Sequence, residues 1–407
     1  MKYPTSPNGV SVTTCWRISS VSAATAASCS SDATASRTAS IQSVLRYFTA
    51  PSLGRDRPRR CRRSRTSGRS SLLDVNFPTR RLRRLRTTPA MRRLVAQTRL
   101  GVEDLIAPLF VRENIDEPVP IHSLPGVVQH TQDSLLDEVR TLCNLGVPAV
   151  MLFGIPGRKD PEGSEAWNHD GVVQVALRNL RDEFGDDMVL MADLCVDEYT
   201  DHGHCGIVVE GDVDNDQTLV LYQQAAVAQA NAGAHVVAPS GMMDGQVMAI
   251  RAALDGSGHI NTSILAYSAK YASAEYGPFR DAVDVQIAGG GDRKSYQQDP
   301  ANRRESMEEI GFDLEEGADM VMVKPALSYL DIISDARSRY DVPLAAYHVS
   351  GEYAMLKAAG ANGWIDETAT MFEHLTSIKR AGADMILTYC TREVAEILRG
   401  TGSEPRP

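Results

Sequence analysis

The sequence has no apolar run long enough for a membrane-spanning helix, which requires about eighteen or more such residues. It has few aromatic residues, 6% of the chain, and none within the arginine-rich residues 55–69, which therefore lack the stacking groups of a nucleic-acid-binding surface. The cysteines are odd in number and widely spaced: Cys15, Cys29, Cys61, Cys143, Cys195, Cys205 and Cys390. This pattern argues against a disulfide framework and favours a reducing compartment, so we expect a cytoplasmic protein. Because the sequence lacks both a membrane-spanning run and a base-stacking surface, we expect no membrane or nucleic-acid partner.

Acidic residues are scarce in the first quarter of the chain. Residues 1–100 hold 20 of the 42 Lys and Arg residues but only three of the 52 acidic ones, Asp32, Asp56 and Asp74. Residues 1–71 are rich in Ser, Thr, Ala and Arg and have little periodic apolar pattern, so we expect a disordered, low-complexity leader. This composition is also typical of a transit peptide, and an over-long gene model or an upstream tail is the other interpretation.

The pattern changes after the leader. Over residues 77–99, arginines are interleaved with apolar residues, namely Leu82, Leu85, Met91, Leu94 and Val95. We interpret residues 72–101 as an ordered arm that lies on another surface. Residues 102–400 are expected to form one catalytic domain, and residues 401–407 a disordered tail.

Eight short apolar runs follow, and we predict that each is a β-strand. They are residues 105–111, 149–155, 188–195, 235–240, 263–271, 320–325, 344–350 and 385–390. The runs are continuously apolar rather than alternating, as expected for parallel strands that are covered on both faces.

Amphipathic segments separate these runs and predict helices, for example over residues 134–145, 218–232, 302–316 and 367–381. Four helix ends share a Gly followed by Ala or Val, where Gly can adopt the left-handed conformation that ends a helix. These glycines are Gly146, Gly233, Gly317 and Gly382. Repeated strand and helix units over about 300 residues fit a (β/α)8 TIM barrel with an N-terminal arm. A doubly wound open sheet is the structural alternative.

Polar residues end several of the predicted strands. In a (β/α)8 barrel the active site lies at the carboxyl ends of the strands, so these residues should converge on one mouth. They are Asp193 and Cys195 of strand three, Ser240 of strand four, Lys270 of strand five, Lys324 of strand six, Ser350 of strand seven and Tyr389 of strand eight.

Two of these residues are lysines on adjacent strands. Burial disfavours an ammonium charge and a second nearby cation disfavours it further, so Lys324 and Lys270 are candidates for a neutral amine. A neutral amine can attack a ketone or an aldehyde to form an imine. For either lysine alone, a solvated or ion-paired ammonium is the alternative, but two such lysines on one barrel favour catalysis.

The loop after strand three contains side chains that bind metals. Cys195, Asp197 and Cys205 could supply two thiolates and a carboxylate, a set that suits a catalytic Zn²⁺ with an open fourth position. The structural alternative is a buried cysteine in a solvated acidic loop.

Residues 276–297, after strand five, are long for a loop. They combine several glycines with Arg280 and Arg293, which suits a lid that captures a substrate carboxylate. The glycines lack the strand and helix context of a dinucleotide-binding motif, so no organic cofactor is expected.

Five segments carry highly specific motifs. They are Asp-Leu-Cys-Val-Asp-Glu-Tyr-Thr-Asp-His-Gly-His-Cys-Gly at 193–206, Ala-Pro-Ser-Gly-Met-Met-Asp-Gly at 238–245, Tyr-Ser-Ala-Lys-Tyr-Ala-Ser-Ala-Glu-Tyr-Gly-Pro-Phe-Arg-Asp-Ala at 267–282, Met-Val-Lys-Pro-Ala-Leu-Ser-Tyr-Leu-Asp at 322–331 and Tyr-His-Val-Ser-Gly-Glu-Tyr-Ala-Met at 347–355. With them, residues 77–399 resemble the 5-aminolevulinate dehydratase (porphobilinogen synthase) family. This family of hydro-lyases joins two molecules of 5-aminolevulinate to porphobilinogen with loss of two waters, in the biosynthesis of haem and other tetrapyrroles.

The resemblance implies roles for individual residues. Lys324 would hold the first substrate as an imine, and Lys270 the second. The matching substrate-binding residues are Arg280, Arg293 and Gln297 at the carboxylate of the second substrate, Ser350 and Tyr389 at the first, and Asp193, Ser240, Tyr276 and Phe279 around the same cavity.

The metal ligands depart from the family's patterns. In one branch three cysteines hold zinc, in another the matching positions are mostly aspartate or alanine, and this chain has Asp197 between Cys195 and Cys205. We expect Zn²⁺ at this site, and Mg²⁺ at Glu309, which matches an allosteric ligand of some members. Glu275, where many members have an aromatic residue, and Gly241, where many have Asp, are smaller departures.

The family usually forms a homo-octamer in which N-terminal arms embrace neighbouring subunits, in agreement with the predicted arm. Two other functions are alternatives to this one. A class I aldolase or a related imine-forming barrel would explain Lys324 but neither Lys270 nor the cysteine loop. A catalytically silent, metal-binding assembly protein is disfavoured because both lysines and both lid arginines are present.

Overall fold

The computed structural model describes residues 77–288 and 291–400. The predicted leader and tail, and Gly289 and Gly290 of the predicted lid, lie outside the described residues. The chain divides into two units, Met1–Arg80 and Arg81–Pro407. The first is described only at residues 77–80, which include a turn. All other elements belong to the second unit.

Eight parallel strands form a closed barrel. They are β1 (Leu105–Arg112), β2 (Ala149–Ile155), β3 (Val189–Leu194), β4 (Val236–Pro239), β5 (Ser263–Lys270), β6 (Met320–Lys324), β7 (Leu344–His348) and β8 (Met385–Thr388). Each strand pairs with the next along the chain, and β8 closes the ring on β1 through the pairs Leu105 with Ile386 and Ile106 with Leu387. The predicted barrel is confirmed. The open-sheet alternative is wrong, because an open sheet would leave β1 and β8 as unpaired edges.

The barrel strands are buried almost from end to end. Every residue of β2, β4 and β7 is buried, and only the first residue of β3, β5, β6 and β8 is partly exposed. Side chains of one face fill the barrel, while those of the other face pack under the helices. This double burial is the physical reason for the continuous apolar runs.

Helices connect and surround the strands. Among the described residues they are α1 (Pro89–Val95), α2 (Gln132–Asn144), α3 (Val172–Phe184), α4 (Asn215–Asn231), α5 (Gln246–Gly256), α6 (Gly277–Ala282), α7 (Arg304–Glu316), α8 (Leu330–Arg339), α9 (Ser350–Ala361), α10 (Glu367–Ala381) and α11 (Thr391–Gly400). The four glycines predicted to end helices all have positive φ angles, between 78° at Gly146 and 129° at Gly382. None of the described helices is long and apolar enough to cross a membrane.

The segment before the barrel contains two short helical elements. A 3-10 helix covers Leu82–Arg86, and α1 follows, with the Thr88 side chain accepting a hydrogen bond from the Met91 backbone at its start. Leu82, Leu85 and Leu94 are 60%, 47% and 76% exposed. The arm expected over residues 72–101 stays a prediction, and the structure describes it from residue 77 onward.

The connecting loops also contain four short strands and further 3-10 helices. Val119–Pro120 and Val128–His130 extend the sheet beside β1, and Val208–Val209 pairs with Asp212–Val213 as a hairpin after β3. The 3-10 helices are Val102–Asp104, Ser164–Ala166, Ala274–Tyr276 and Leu327–Tyr329.

Candidate active site

The two predicted lysines lie side by side at the carboxyl ends of neighbouring strands. Lys270 ends β5, Lys324 ends β6, and the two residues are paired in the register of these parallel strands. Paired residues of adjacent parallel strands project from the same face of the sheet. Both side chains are buried, at 5% exposure each. The structure therefore brings together two amines that are separated in sequence.

Aromatic rings surround the Lys324 amine. Its Nζ lies 4.5 Å from the ring centroid of Tyr347, 5.1 Å from those of Tyr267 and Phe279, and 5.3 Å from that of Tyr276. Burial, reinforced by the charge of Lys270, lowers the pKa of Lys324 to about 7. A substantial fraction of the amine is thus neutral near neutral pH, as a nucleophile requires.

Lys270 is held by the end of β4. Its Nζ donates a hydrogen bond of 2.6 Å to the backbone carbonyl of Ser240, and the ring centroid of Tyr267 lies 5.7 Å away. The Ser240 hydroxyl in turn donates to Oδ2 of Asp193 at 3.0 Å. Lys270, Ser240 and Asp193 therefore form one connected group, as the strand-end argument predicted.

Asp193 retains an unused acceptor in this buried group. Burial raises the pKa of its carboxyl, although the charges of Lys324 and Lys270 oppose that shift. Its Oδ1 is buried and has no hydrogen-bond partner. This unpaired buried oxygen belongs to a carboxyl that interacts with the charges of both lysines, and it can accept a hydrogen bond from a substrate amine or hydroxyl.

Two tyrosines at the site were missed by sequence reasoning. Tyr267 lies within 6 Å of both lysine amines, and Tyr347 is the nearest ring to Lys324 and shares a hydrogen bond of 2.9 Å with the Tyr389 hydroxyl. The available signal was a tyrosine inside an otherwise aliphatic barrel strand. It is weak, because such a tyrosine is commonly a core residue.

The remaining predicted substrate residues also lie around Lys324. The Ser350 hydroxyl accepts a hydrogen bond of 3.0 Å from the Phe279 backbone, which fixes α6 against the start of α9. The Tyr276 hydroxyl donates to the Lys324 carbonyl at 3.3 Å. The Tyr389 ring stacks on Phe110 of β1.

The predicted lid begins with the 3-10 turn Ala274–Tyr276 and α6, and then becomes irregular. Three of the contacts that hold the irregular part to the barrel mouth come from Lys159 and Arg112. Lys159 Nζ donates to the carbonyls of Val283 and Asp284 at 3.2 and 2.9 Å, and the Arg112 guanidinium lies 2.7 Å from the Asp284 carboxylate. The lid therefore rests on the end of β1 and on the loops after β2 and β3.

Three donor atoms of lid residues have no hydrogen-bond partner although they are buried. They are Nε of Arg280, Nε of Arg293 and Nε2 of Gln297. Burial and the neighbouring charge of Arg293 lower the pKa of Arg280 from its usual value, so the two guanidinium groups are close enough to repel. A carboxylate would satisfy such donors and relieve that repulsion.

The three predicted metal ligands converge in space. Sγ of Cys195, Sγ of Cys205 and a carboxylate oxygen of Asp197 all lie within 4.8 Å of one another, and all three residues are buried. Two sulfur atoms and one oxygen are a donor set that fits Zn²⁺ with one open position. These residues therefore fit the metal expected from the sequence.

Asp197 has a second partner that the sequence did not predict. Its Oδ2 lies 2.7 Å from Nη2 of Arg293, and both side chains are almost fully buried. Burial alone would raise the pKa of Asp197, but the charges of Arg293 and Lys270, together with hydrogen bonds to the carboxylate, hold this pKa below its usual value. The lid arginine is thus joined to the candidate metal site.

Glu309 lies apart from this cluster, on α7. Burial and nearby acidic groups, chiefly Asp313 and Asp244, raise the pKa of Glu309 to about 7. Among the described residues, the three-ligand cluster of Cys195, Asp197 and Cys205 is the one group whose ligand atoms converge, and Glu309 is not in it.

The fold and the site define a (β/α)8-barrel enzyme whose chemistry is centred on two buried lysines. Residues 79–397 match the family model described as delta-aminolevulinic acid dehydratase, and the chain belongs to this family.

The chain is similar to curated relatives over nearly their whole length. A delta-aminolevulinic acid dehydratase from Streptomyces coelicolor is 58% identical over 327 residues, which are 80% of this chain and 98% of the relative. One from Mycobacterium tuberculosis is 56% identical over 323 residues, with coverage of 79% and 98%. A crystal structure of the Toxoplasma gondii ME49 enzyme in complex with the reaction product porphobilinogen has 45% identity and a TM-score of 0.78, covering 81% of this chain and 95% of that chain.

Proposed function

We propose that this chain is a hydro-lyase that condenses two molecules of 5-aminolevulinate to porphobilinogen with loss of two waters, in tetrapyrrole biosynthesis. The observation that carries the proposal is the pair of buried lysines at the ends of β5 and β6. A single-lysine aldolase barrel would not need the second amine. Relatives that the chain matches over 97% or more of their length bear the same enzyme name.

Lys324 is the amine best prepared to attack the ketone of the first substrate. Its pKa of about 7 leaves it partly neutral, and attack on the carbonyl carbon gives a carbinolamine that loses water to form the imine. Lys270, anchored on the Ser240 carbonyl, would hold the second substrate in the same way. Asp193, with its raised pKa, is placed to exchange protons beside both amines.

The substrates also need contacts for their carboxylates. Arg280, Arg293 and Gln297 would bind that of the second substrate through the donors that lack partners. Ser350 and Tyr389 would bind that of the first, and Tyr276 and Phe279 would enclose the Lys324 imine. Exclusion of water by these rings would favour the dehydrations.

Cys195, Asp197 and Cys205 would hold Zn²⁺, which when bound supplies a Lewis acid beside the second substrate. Glu309 is the candidate ligand of an activating Mg²⁺, since a cation would relieve the repulsion that raises the pKa of this carboxyl. The exposed leucines of residues 82–95 would be covered by neighbouring subunits in a homo-octamer. We also propose that the enzyme works in the cytoplasm.

The proposal is tested by incubating the full chain with 5-aminolevulinate and detecting the pyrrole product with an aldehyde colour reagent, with and without a chelator. The parent should form porphobilinogen, and the Lys324→Ala variant should form none. A folded parent that forms no pyrrole, with or without added Zn²⁺ and Mg²⁺, would refute the proposed reaction.

A further inference from the structure

We infer that Asp197 is a positioning residue for substrate binding: through its ion pair it holds Arg293 in the carboxylate site whether or not a metal is bound. This inference rests on the proposed function. It gives Asp197 a task that is separate from metal ligation, and it links the affinity for a carboxylate ligand to the residue type at position 197.

The first step is the geometry of the ion pair. Nη2 of Arg293 lies 2.7 Å from Oδ2 of Asp197 and also donates to the Gly203 carbonyl at 2.8 Å. The Asp197 and Arg293 side chains are 5% and 7% exposed. One end of the guanidinium is therefore fixed by two acceptors of the loop after β3.

The same guanidinium keeps a buried donor that no protein group satisfies. Nε of Arg293 is buried without a partner, as are Nε of Arg280 and Nε2 of Gln297. A guanidinium that is fixed at Nη2 presents Nε in a constant direction, so the ion pair sets the geometry of this donor group.

The second step is the cost of burying Arg293 without Asp197. A guanidinium stays charged in proteins, and a buried charge needs a counter-charge. Among the residues that the structure describes, Asp197 is the one carboxylate within ion-pair distance of the Arg293 guanidinium. Asp197 is therefore the carboxylate that neutralises Arg293, and a thiol in its place would do so only after losing its proton to a bound metal.

The third step is the compatibility of the two tasks. Asp197 has two carboxylate oxygens, and ligating carboxylates in metal sites are commonly hydrogen-bonded to a neighbouring group as well. One oxygen can face the cysteines while Oδ2 keeps Arg293. A carboxylate at position 197 thus makes the position of Arg293 independent of the metal.

The test compares the parent with Asp197→Cys and Asp197→Asn, using porphobilinogen as the ligand because it carries carboxylates and undergoes no reaction. Its dissociation constant is measured by titration calorimetry on each protein stripped with a chelator and again after Zn²⁺ is restored. Asp201→Asn, an exposed residue of the same loop, is the matched control, and Asp197→Glu tests rescue by charge.

When the metal is removed, the affinity of Asp197→Cys for porphobilinogen should fall about tenfold or more beyond the fall seen in the parent. One charge-assisted contact contributes roughly that factor. Added Zn²⁺ should restore the affinity. Asp197→Asn should bind weakly with or without metal, Asp197→Glu should recover part of the affinity of the stripped parent, and Asp201→Asn should behave like the parent.

The inference is overturned if Asp197→Cys and the parent lose equal affinity on stripping, or if stripped Asp197→Asn binds as the stripped parent does. If Asp197→Cys does not fold without metal, the comparison of Asp197→Asn with Asp197→Glu decides. A parent that neither binds porphobilinogen nor consumes 5-aminolevulinate would instead refute the proposed function, so the two failures are distinguishable.

Discussion

At the scale of single residues, the environment of Lys324 makes imine formation depend on pH. Its pKa of about 7 is lowered by burial and by Lys270, so the neutral, nucleophilic amine becomes the major form as the pH rises through about 7. The rate of imine formation should therefore rise between about pH 6 and 8 and then level off. Borohydride reduction in the presence of 5-aminolevulinate, followed by peptide mass analysis, measures this rate at each pH.

The same experiment contains its own control. Lys357 Nζ donates hydrogen bonds of 2.6 Å to both Glu367 and Glu393, and these bonds raise the pKa of Lys357 despite partial burial. Its peptide should stay unlabelled, and Lys324→Ala should lose the adduct of the first substrate. Labelling of Lys357 but not Lys324, or near-normal turnover of Lys324→Ala, would contradict the assignment.

The carboxylate site is tested by replacing each of the two lid arginines. Arg280→Ala should raise KM for 5-aminolevulinate roughly ten- to hundredfold, because one charge-assisted hydrogen bond of about 1.5 to 3 kcal/mol is lost. Arg293→Ala should raise KM as well and also lower the midpoint of thermal unfolding, since it leaves the Asp197 carboxylate buried and unpaired.

Steady-state kinetics and thermal melts measure both effects. Arg380→Ala, which removes only the hydrogen bond from the guanidinium to the Ser377 hydroxyl on α10, is the control and should change neither. An unchanged KM in both lid variants would dismiss the carboxylate site.

The predicted site residues that the structure brings together share one property. Lys270, Lys324, Ser240 and Asp193 lie at strand ends or one residue from them, and barrel topology alone brings strand ends together. The ion pair of Asp197 with Arg293 could not be predicted in this way, because it joins two irregular loops whose path depends on the folded chain.

At the scale of elements, Lys159 supplies one of the contacts that attach the lid to the barrel. Lys159→Ala removes two hydrogen bonds to the lid backbone, at Val283 and Asp284. We expect KM to rise about three- to tenfold with little change in thermal stability, since an open lid cannot enclose the second substrate. Limited proteolysis should show faster cleavage within residues 283–300.

The neighbouring Arg158 provides the matched control. Its side chain is 69% exposed, and its long contacts of 3.4–3.5 Å with Asp160, Glu165 and Ser164 contribute little. Arg158→Ala should therefore leave KM and cleavage unchanged. Equal KM and equal cleavage rates in Lys159→Ala and the parent would show that the lid is held by other contacts.

Element boundaries were predicted less well than element types. Predicted strand seven reached Ser350, but β7 ends at His348 and Ser350 begins α9. The cause is Glu352, whose carboxylate accepts hydrogen bonds from the Val349 and Leu327 backbones at 2.5 Å. An apolar pattern does not show where a carboxylate will accept hydrogen bonds from backbone N–H groups.

At the scale of the whole molecule, the composition predicts that the leader is dispensable. Residues 1–71 lack the apolar periodicity needed to pack on an acidic barrel domain. A chain beginning at Leu72 should keep the specific activity and the assembly size of the full chain, measured by the pyrrole assay and by light scattering. A smaller assembly, with residues 77–99 intact, would show that the leader has a structural role.

The pairing of β1 with β8 also has a consequence for biosynthesis. Strand β1 leaves the ribosome long before β8, its partner through Ile386 and Leu387. Until residues 385–388 have been made, the growing sheet carries two unpaired edges, which can pair with other nascent chains. Closure of the ring therefore waits for almost the entire chain, and the interval before it is when this protein is most exposed to aggregation.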